Sequence, residues 1–161
     1  MDEQVLRSVV DKVVRQLGGG LTDMTLSAAL PLAEKVREKA AEMGVKAVVA
    51  ISNKAARPVL VECADDSYIA SYDVALQKAF TVVSLKMSTA QLKPLAQPGG
   101  PLYGIQFTND GRIVIFGGGE PLMNADGEII GGLGVSGGSE EQDTALAAYG
   151  KELFERSGGT Q

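Results

Sequence analysis

Lys78, Tyr103 and the carboxylates are the groups through which this chain could move a proton, because its 161 residues include no histidine. No two of them stand at a spacing that marks an acid–base pair. The single cysteine, Cys63, has no intrachain partner for a disulfide, and without histidine the usual His/Cys zinc set cannot be built. A second candidate for chemistry is GGGEPLMNADGEIIGGLGVSGGSEEQD, residues 117 to 143, in which nine glycines fall among 27 residues. A phosphate cradle, a linker and strands that something approaches closely all compete for it. A phosphate loop needs glycine amides followed by Lys and Ser/Thr at a helix start. Here Ser136-Gly137-Gly138-Ser139 runs into Glu140, Glu141 and Asp143, carboxylates that already occupy the positive end of the dipole and repel phosphate. Ser139 and Gln142 instead have the spacing of a capping box. The nucleotide reading is set aside. Gly131, Gly132 and Gly134 weaken a strand, so their use implies that another backbone, such as a packed helix, or a flat ligand comes close to the sheet.

The elements that would position these residues follow from periodicity. TLSAALPLAEKVREKAAEMG, from Thr25, carries Leu26, Leu30, Ala33, Val36, Ala40 and Met43 as one stripe and stops at Gly44. Pro31 either starts the main helix after a short first turn or kinks it. VKAVVAIS (45–52) and PVLVEC (58–63) are β-branched runs that predict a hairpin. Helical spacing returns over 67–87, and 88–97 begins with a Ser/Thr cap and ends before Pro98. Asn109-Asp110-Gly111 and Ala125-Asp126-Gly127 carry hairpin-turn signals, predicted to join 103–108 to 112–117 and 119–124 to 128–135. The sum is about five antiparallel strands with helices before, between and after them, an α+β layered domain.

Residues 2–17 form a separate pattern. Val5, Leu6, Val9, Val10, Val13, Val14 and Leu17 share one helical face, and Glu3, Arg7, Lys12 and Arg15 share the other. Gly18-Gly19-Gly20 then supplies a joint. A helix of this length is marginal alone, so a detachable one implies a partner groove or another copy of itself; the alternative is a first helix packed on its own domain. The organisation expected is a helix over 1–17, a glycine-rich linker over 18–24, one domain over 25–156 and a flexible tail over 157–161. A net charge of −5 argues against nucleic acid or anionic lipid as partner. No apolar run reaches the ~18 residues of a membrane span, and the acidic start is no secretory signal. A cytoplasmic location is the expectation.

QPGGPLYGI (97–105), GRIVIFGGGEPL (111–122) and EIIGGLGVSGGSEEQD (128–143) resemble the signature blocks of the GlcG/HbpS-like family, which includes the C-terminal domain of PduO-type proteins. MTLSAALPLAEKVREKAAEMGV and SYDVALQKAFTVVSL with Ser88-Thr89 extend the likeness to roughly residues 21–150. The resemblance implies a profilin-like fold with a five-stranded antiparallel sheet flanked by helices, and a homo-oligomer, often an octamer. It implies binding of haem or a related tetrapyrrole such as a corrinoid. It also implies a place inside a bacterial microcompartment, among proteins whose adenosyltransferase activity resides in a different, N-terminal domain that is absent here. In that setting the N-terminal helix resembles an encapsulation peptide, with Val5, Val9, Val13 and Leu17 meeting shell or cargo proteins.

On the family fold, Lys78 and Thr81 lie on a central helix near a loop of Gln97, Pro98, Gly99, Gly100 and Tyr103, with Gly117, Gly118 and Gly119 as a second wall. These residues either bind the ligand or fix a tight loop at a subunit interface. Lys78 serves as counter-ion to a propionate or phosphate, or as partner to Asp73 or Asp143. Two places depart from the family pattern, at Asn53-Lys54-Ala55-Ala56 and at Cys63-Ala64-Asp65-Asp66, so a pocket edge has changed. The histidine thought to hold haem in the PduO-type domain is also missing. Iron would take Cys63, a methionine, Tyr103 or Lys78, or no strong axial ligand; Cys63 is otherwise a small core or hairpin residue. The alternatives to a binding module are a small enzyme acting on a hydroxy acid, diol or aldehyde, and a scaffold without a ligand.

Overall fold

The computed structural model describes residues 2–7 and 20–158. Residues 3–7 are helical with Val5 exposed; Val9, Val13 and Leu17, with Gly18 and Gly19, lie outside the described residues. From Leu21 onward the chain is fastened to the body. The Asn124 amide donates to the Leu21 carbonyl, Asp23 accepts the Lys54 N–H, and the Met24 N–H reaches the Ile130 carbonyl.

Helix α1 (Leu26–Glu42) starts where Thr25 accepts the Ala28 N–H, and it runs on through Pro31. Strands β1 (Val48–Asn53) and β2 (Pro58–Cys63) form the expected antiparallel hairpin. Helix α2 (Ile69–Leu85) ends at Lys86 in the left-handed region, and the short α3 (Thr89–Leu95) opens with a Ser88/Gln91 capping box. Strands β3 (Gly119–Met123) and β4 (Ile129–Ser136) form the second hairpin. Helix α4 (Glu140–Arg156) begins with the Ser139/Gln142 capping box expected from its spacing.

The sheet has four strands among the described residues, in the antiparallel order β2-β1-β4-β3, where five were expected. Neither segment of the hairpin predicted for 103–117 forms a strand. Asn109 and Asp110 do adopt the positive φ that their types suggest, at 52° and 57°. They close 3-10 turns instead, over Ile105–Phe107 and Asn109–Gly111. The amides that a partner strand would have satisfied are taken by side chains: Thr81 accepts the Val114 N–H and Glu140 accepts the Gly117 N–H. A turn signal fixes the turn residues, not the pairing beyond them.

Period-two alternation gives β1 and β4 two unlike faces. Val49, Ile51, Leu133 and Val135 point into the main core with Leu32 and Val36 of α1 and Leu146 and Phe154 of α4. Val48, Ala50, Gly132 and Gly134 point toward α2, whose Ala75 and Ala79 meet them. A Cβ on Gly134 would sit 2.0 Å from the Ala75 carbonyl oxygen, and one on Gly132 2.4 Å from that of Ala79. Gly132 and Gly134 therefore admit the backbone of a helix, whereas a Cβ on Gly131 would meet the Ser52 carbonyl oxygen at 2.4 Å and Met24.

Candidate functional site

Lys78 stands in the middle of α2 and is completely buried. Its amine donates to the Val135 carbonyl at 2.7 Å and to Asp143 Oδ2 at 3.2 Å, and it lies 4.9 Å from the centroid of the Phe116 ring. Asp143, in the first turn of α4, accepts the Gly138 N–H with its other oxygen at 2.9 Å. Because α2 and α4 cover opposite faces of the sheet, this pair joins the two layers. Burial pulls the Lys78 amine below its ordinary range and pushes the Asp143 carboxyl up, while their mutual attraction opposes both shifts. A carboxylate, a carbonyl and an aromatic face together satisfy an ammonium with three donors.

The glycine run roofs this pair. Gly118, at φ +112°, passes so close that a Cβ would lie 2.6 Å from Lys78 Nζ and 2.9 Å from Asp143 Cβ. The Gly118 carbonyl accepts the Val135 N–H, and Thr89 accepts the Gly119 N–H at 2.9 Å. A Cβ on Gly117 would run into Thr144 Oγ1 at 2.0 Å. One turn along α2, the Thr81 hydroxyl donates to the Gln77 carbonyl at 2.7 Å and accepts from Val114. Glu140 closes the strap: it takes the Gly117 N–H and a Lys93 ion pair at 2.6 Å. These two partners, the backbone bond first, hold its carboxyl below the ordinary range.

The loop of Gln97, Pro98, Gly99, Gly100 and Tyr103 forms a separate cluster. It folds on the end of α3 through Gln97 Nε2 to the Lys93 carbonyl, the Gly100 N–H to the Gln97 carbonyl, and the Leu102 N–H to the Leu95 carbonyl. Gly99 needs its positive φ of 84°, and a Cβ on Gly100 would meet the Leu95 oxygen at 2.4 Å. Among the described residues no hydrogen bond joins this loop to Lys78, Thr81 or 117–119. Its aromatic side chain, Tyr103, is 65% exposed, and Phe107 just beyond it is 81% exposed. Thr89 and Phe116 belong to the centre although nothing in sequence marks them for it, and for Glu140 the position in an acid-rich first turn was the one signal.

A family model for haem-degrading, HbpS-like proteins matches residues 24–152, the span that holds this whole centre. The chain belongs to the HbpS-like family. It is 40% identical over 134 residues to an uncharacterised 15.0 kDa protein from the dhaT-dhaS intergenic region of Citrobacter freundii, covering 83% of this chain and 94% of that one. It is 40% identical over 110 residues to the corrinoid adenosyltransferase PduO of Salmonella typhimurium, covering 68% of this chain but 32% of PduO. The match is to the C-terminal part of PduO, apart from the N-terminal domain in which the adenosyltransferase activity lies. Among solved structures, the PduOC:haem complex superposes with a TM-score of 0.78 at 34% identity, over 81% of this chain and 94% of that chain.

The donors of this HbpS-like chain decide where iron could be held. Lys78 has its amine enclosed and bonded, so it is not a ligand in this structure. Cys63, at the end of β2, and Tyr103 are exposed, and thiolate and phenolate are both haem ligands. The donor chemistry fits at the surface and not at the buried lysine. Among the described residues no three His, Cys, Asp or Glu side chains are grouped to hold a metal ion, and no helix is long and apolar enough to cross a membrane.

Proposed function

We propose that this chain is a haem-binding accessory protein of a bacterial microcompartment, working as a homo-oligomer. The observation that carries the reading is the similarity to the PduOC:haem complex over nearly all of that chain. The exposed aromatic residues support it: Tyr103, Phe107 and Phe116 lie on one segment and offer flat apolar surface, with Tyr103 or Cys63 as the iron ligand. Thr81, which accepts the Val114 N–H, and Gly117 to Gly119 set the position of that segment. Titration with hemin tests the reading. A saturable, stoichiometric Soret change is expected, displaced in Tyr103→Phe or Cys63→Ser according to which residue ligates. Weak adsorption without saturation removes the haem assignment, and a ligand-free scaffold, favoured by the filled space around Lys78, then takes its place.

The N-terminal segment is proposed as the address. Burying Val5, Val9, Val13 and Leu17 in a partner groove stabilises by ~1.5–3 kcal/mol for each complete burial, enough to order a marginal helix. Because Leu21, Asp23 and Met24 are bonded to the body, a cut after Gly20 spares these attachments. The truncated protein should stay folded, and residues 1–20 fused to a fluorescent protein should co-localise with shells. A diffuse fusion in cells that assemble shells, or unfolding of the truncated chain, defeats the address.

A further inference from the structure

A cleft of about 230 Å³ lies between the β1–β2 turn, α2 and Arg112, and neither Lys78 nor the 97–103 loop lines it. Its apolar wall is Pro58, Leu76 and Phe80. Arg112 is prepared for a ligand: its guanidinium stacks on Phe80 with 4.1 Å from Cζ to the ring centroid, and its Nε donates to the Asn109 carbonyl at 3.0 Å. Among the described residues both terminal amino groups are unpaired, and the ring holds their plane. Arg57 is held at its backbone, where its N–H meets Asn53 Oδ1 and its carbonyl accepts the Asn53 N–H, and among the described residues its guanidinium has no ion pair. Asp73 also lines the cleft, yet it pairs with neither arginine. Gln77 completes the lining.

We propose that this cleft binds a carboxylate carried on a small flat apolar body. A guanidinium fork with free, coplanar donors matches the two oxygens of a carboxylate, and the wall of Phe80, Leu76 and Pro58 accepts the apolar part. Asp73 rejects a second negative charge on its side and accepts a hydroxyl or ammonium from the ligand. The volume lies below the roughly 300–1,000 Å³ of sites that enclose drug-sized ligands, so the cleft takes either a small free acid or one acidic arm of a larger molecule such as a porphyrin propionate.

Two titrations of the full chain separate those sources. In the first, benzoate and its neutral isostere benzamide are titrated by calorimetry into wild type, Arg57→Gln and Arg112→Gln. A free acid as ligand predicts saturable benzoate binding, weaker by about tenfold for benzamide and for each variant. In the second, hemin is compared with hemin dimethyl ester, which lacks the carboxylates. A propionate as ligand predicts that the two arginine substitutions weaken hemin binding and leave the ester unchanged. Among the described residues the Arg57 side chain makes no hydrogen bond or ion pair, so Arg57→Gln reports on the ligand even if Arg112→Gln disturbs the local turn. The assignment is overturned if neither carboxylate depends on the arginines, or if benzamide equals benzoate and the ester equals hemin. Hemin binding that ignores both arginines, beside benzoate that does not depend on them either, spares the haem reading and removes this one; arginine-dependent benzoate binding without hemin binding does the reverse.

Discussion

On the face covered by α1 and α4, β1 and β4 present Val49, Ile51, Leu133 and Val135; on the face covered by α2 they present Ala50, Ser52, Gly132 and Gly134. The first face is held by interlocking aliphatic side chains, and its stability is a matter of volume. The second is held by a helix backbone lying almost on the sheet, and by polar side chains that the close approach traps: Lys78, Thr81, and the Ser71–Ser136 contact at 3.2 Å. The difference shows what the glycines are for. They bring α2 near enough for the Lys78 amine to pass beside Gly118 and reach Asp143 on the far layer.

The largest effect should come from cutting that tie. Lys78→Met leaves the Asp143 carboxylate buried without its cation, and a loss of about 3–5 kcal/mol is expected in urea unfolding. Lys78→Met combined with Asp143→Leu removes both charges and should recover most of the loss, because a buried pair replaced by apolar groups is often neutral. If the double variant is as unstable as the single one, the lysine is held by something other than its charge partner.

Neighbouring residues on one strand give the sharpest contrast between the faces. Leu133→Ala removes volume from the aliphatic side and should destabilise by about 2–5 kcal/mol. Gly134→Ala adds a single methyl, yet it should destabilise by about 3 kcal/mol, since its Cβ meets the Ala75 carbonyl and not a side chain that can turn away. A tolerated alanine at 134 would mean that α2 shifts freely and that the closeness of this layer is unimportant.

A smaller effect tests the strap over the glycine run. Bonds from Gly117 and Lys93 depress the Glu140 carboxyl, so its contribution is fully present above the ordinary value of 4.5 and is lost as pH falls through the lower folded value. The stability difference between wild type and Glu140→Gln, about 1 kcal/mol at neutral pH, should therefore shrink on acidification below 4.5. A difference that stays constant with pH would show that the charge is not what holds the strap.

Local chemistry made much of this fold legible. Capping boxes at Ser88 and Ser139, the β1–β2 pairing and the Asp-Gly turn between β3 and β4 are all carried by residues a few positions apart. Long-range choices were less legible. Both Asp73 and Asp143 were candidate partners for Lys78, but five residues along a helix is a rotation of roughly 140° from its own turn, which turns Asp73 to the solvent side. Asp143, 65 residues away, wins because β4 ends beside α2 and α4 starts immediately after it. Asn109-Asp110-Gly111 misled for the opposite reason: its local geometry was right, while Thr81 and Glu140, distant in sequence, claimed the amides of the expected strand.

If the glycine–lysine centre builds the scaffold, haem is held outside it. Hemin titration of the Lys78→Met, Asp143→Leu double variant, checked for its fold by circular dichroism, tests this directly. A saturable Soret change with the same affinity and stoichiometry as wild type is expected. A well-folded double variant that no longer binds hemin, beside a wild type that does, would place the ligand on Lys78 and contradict it.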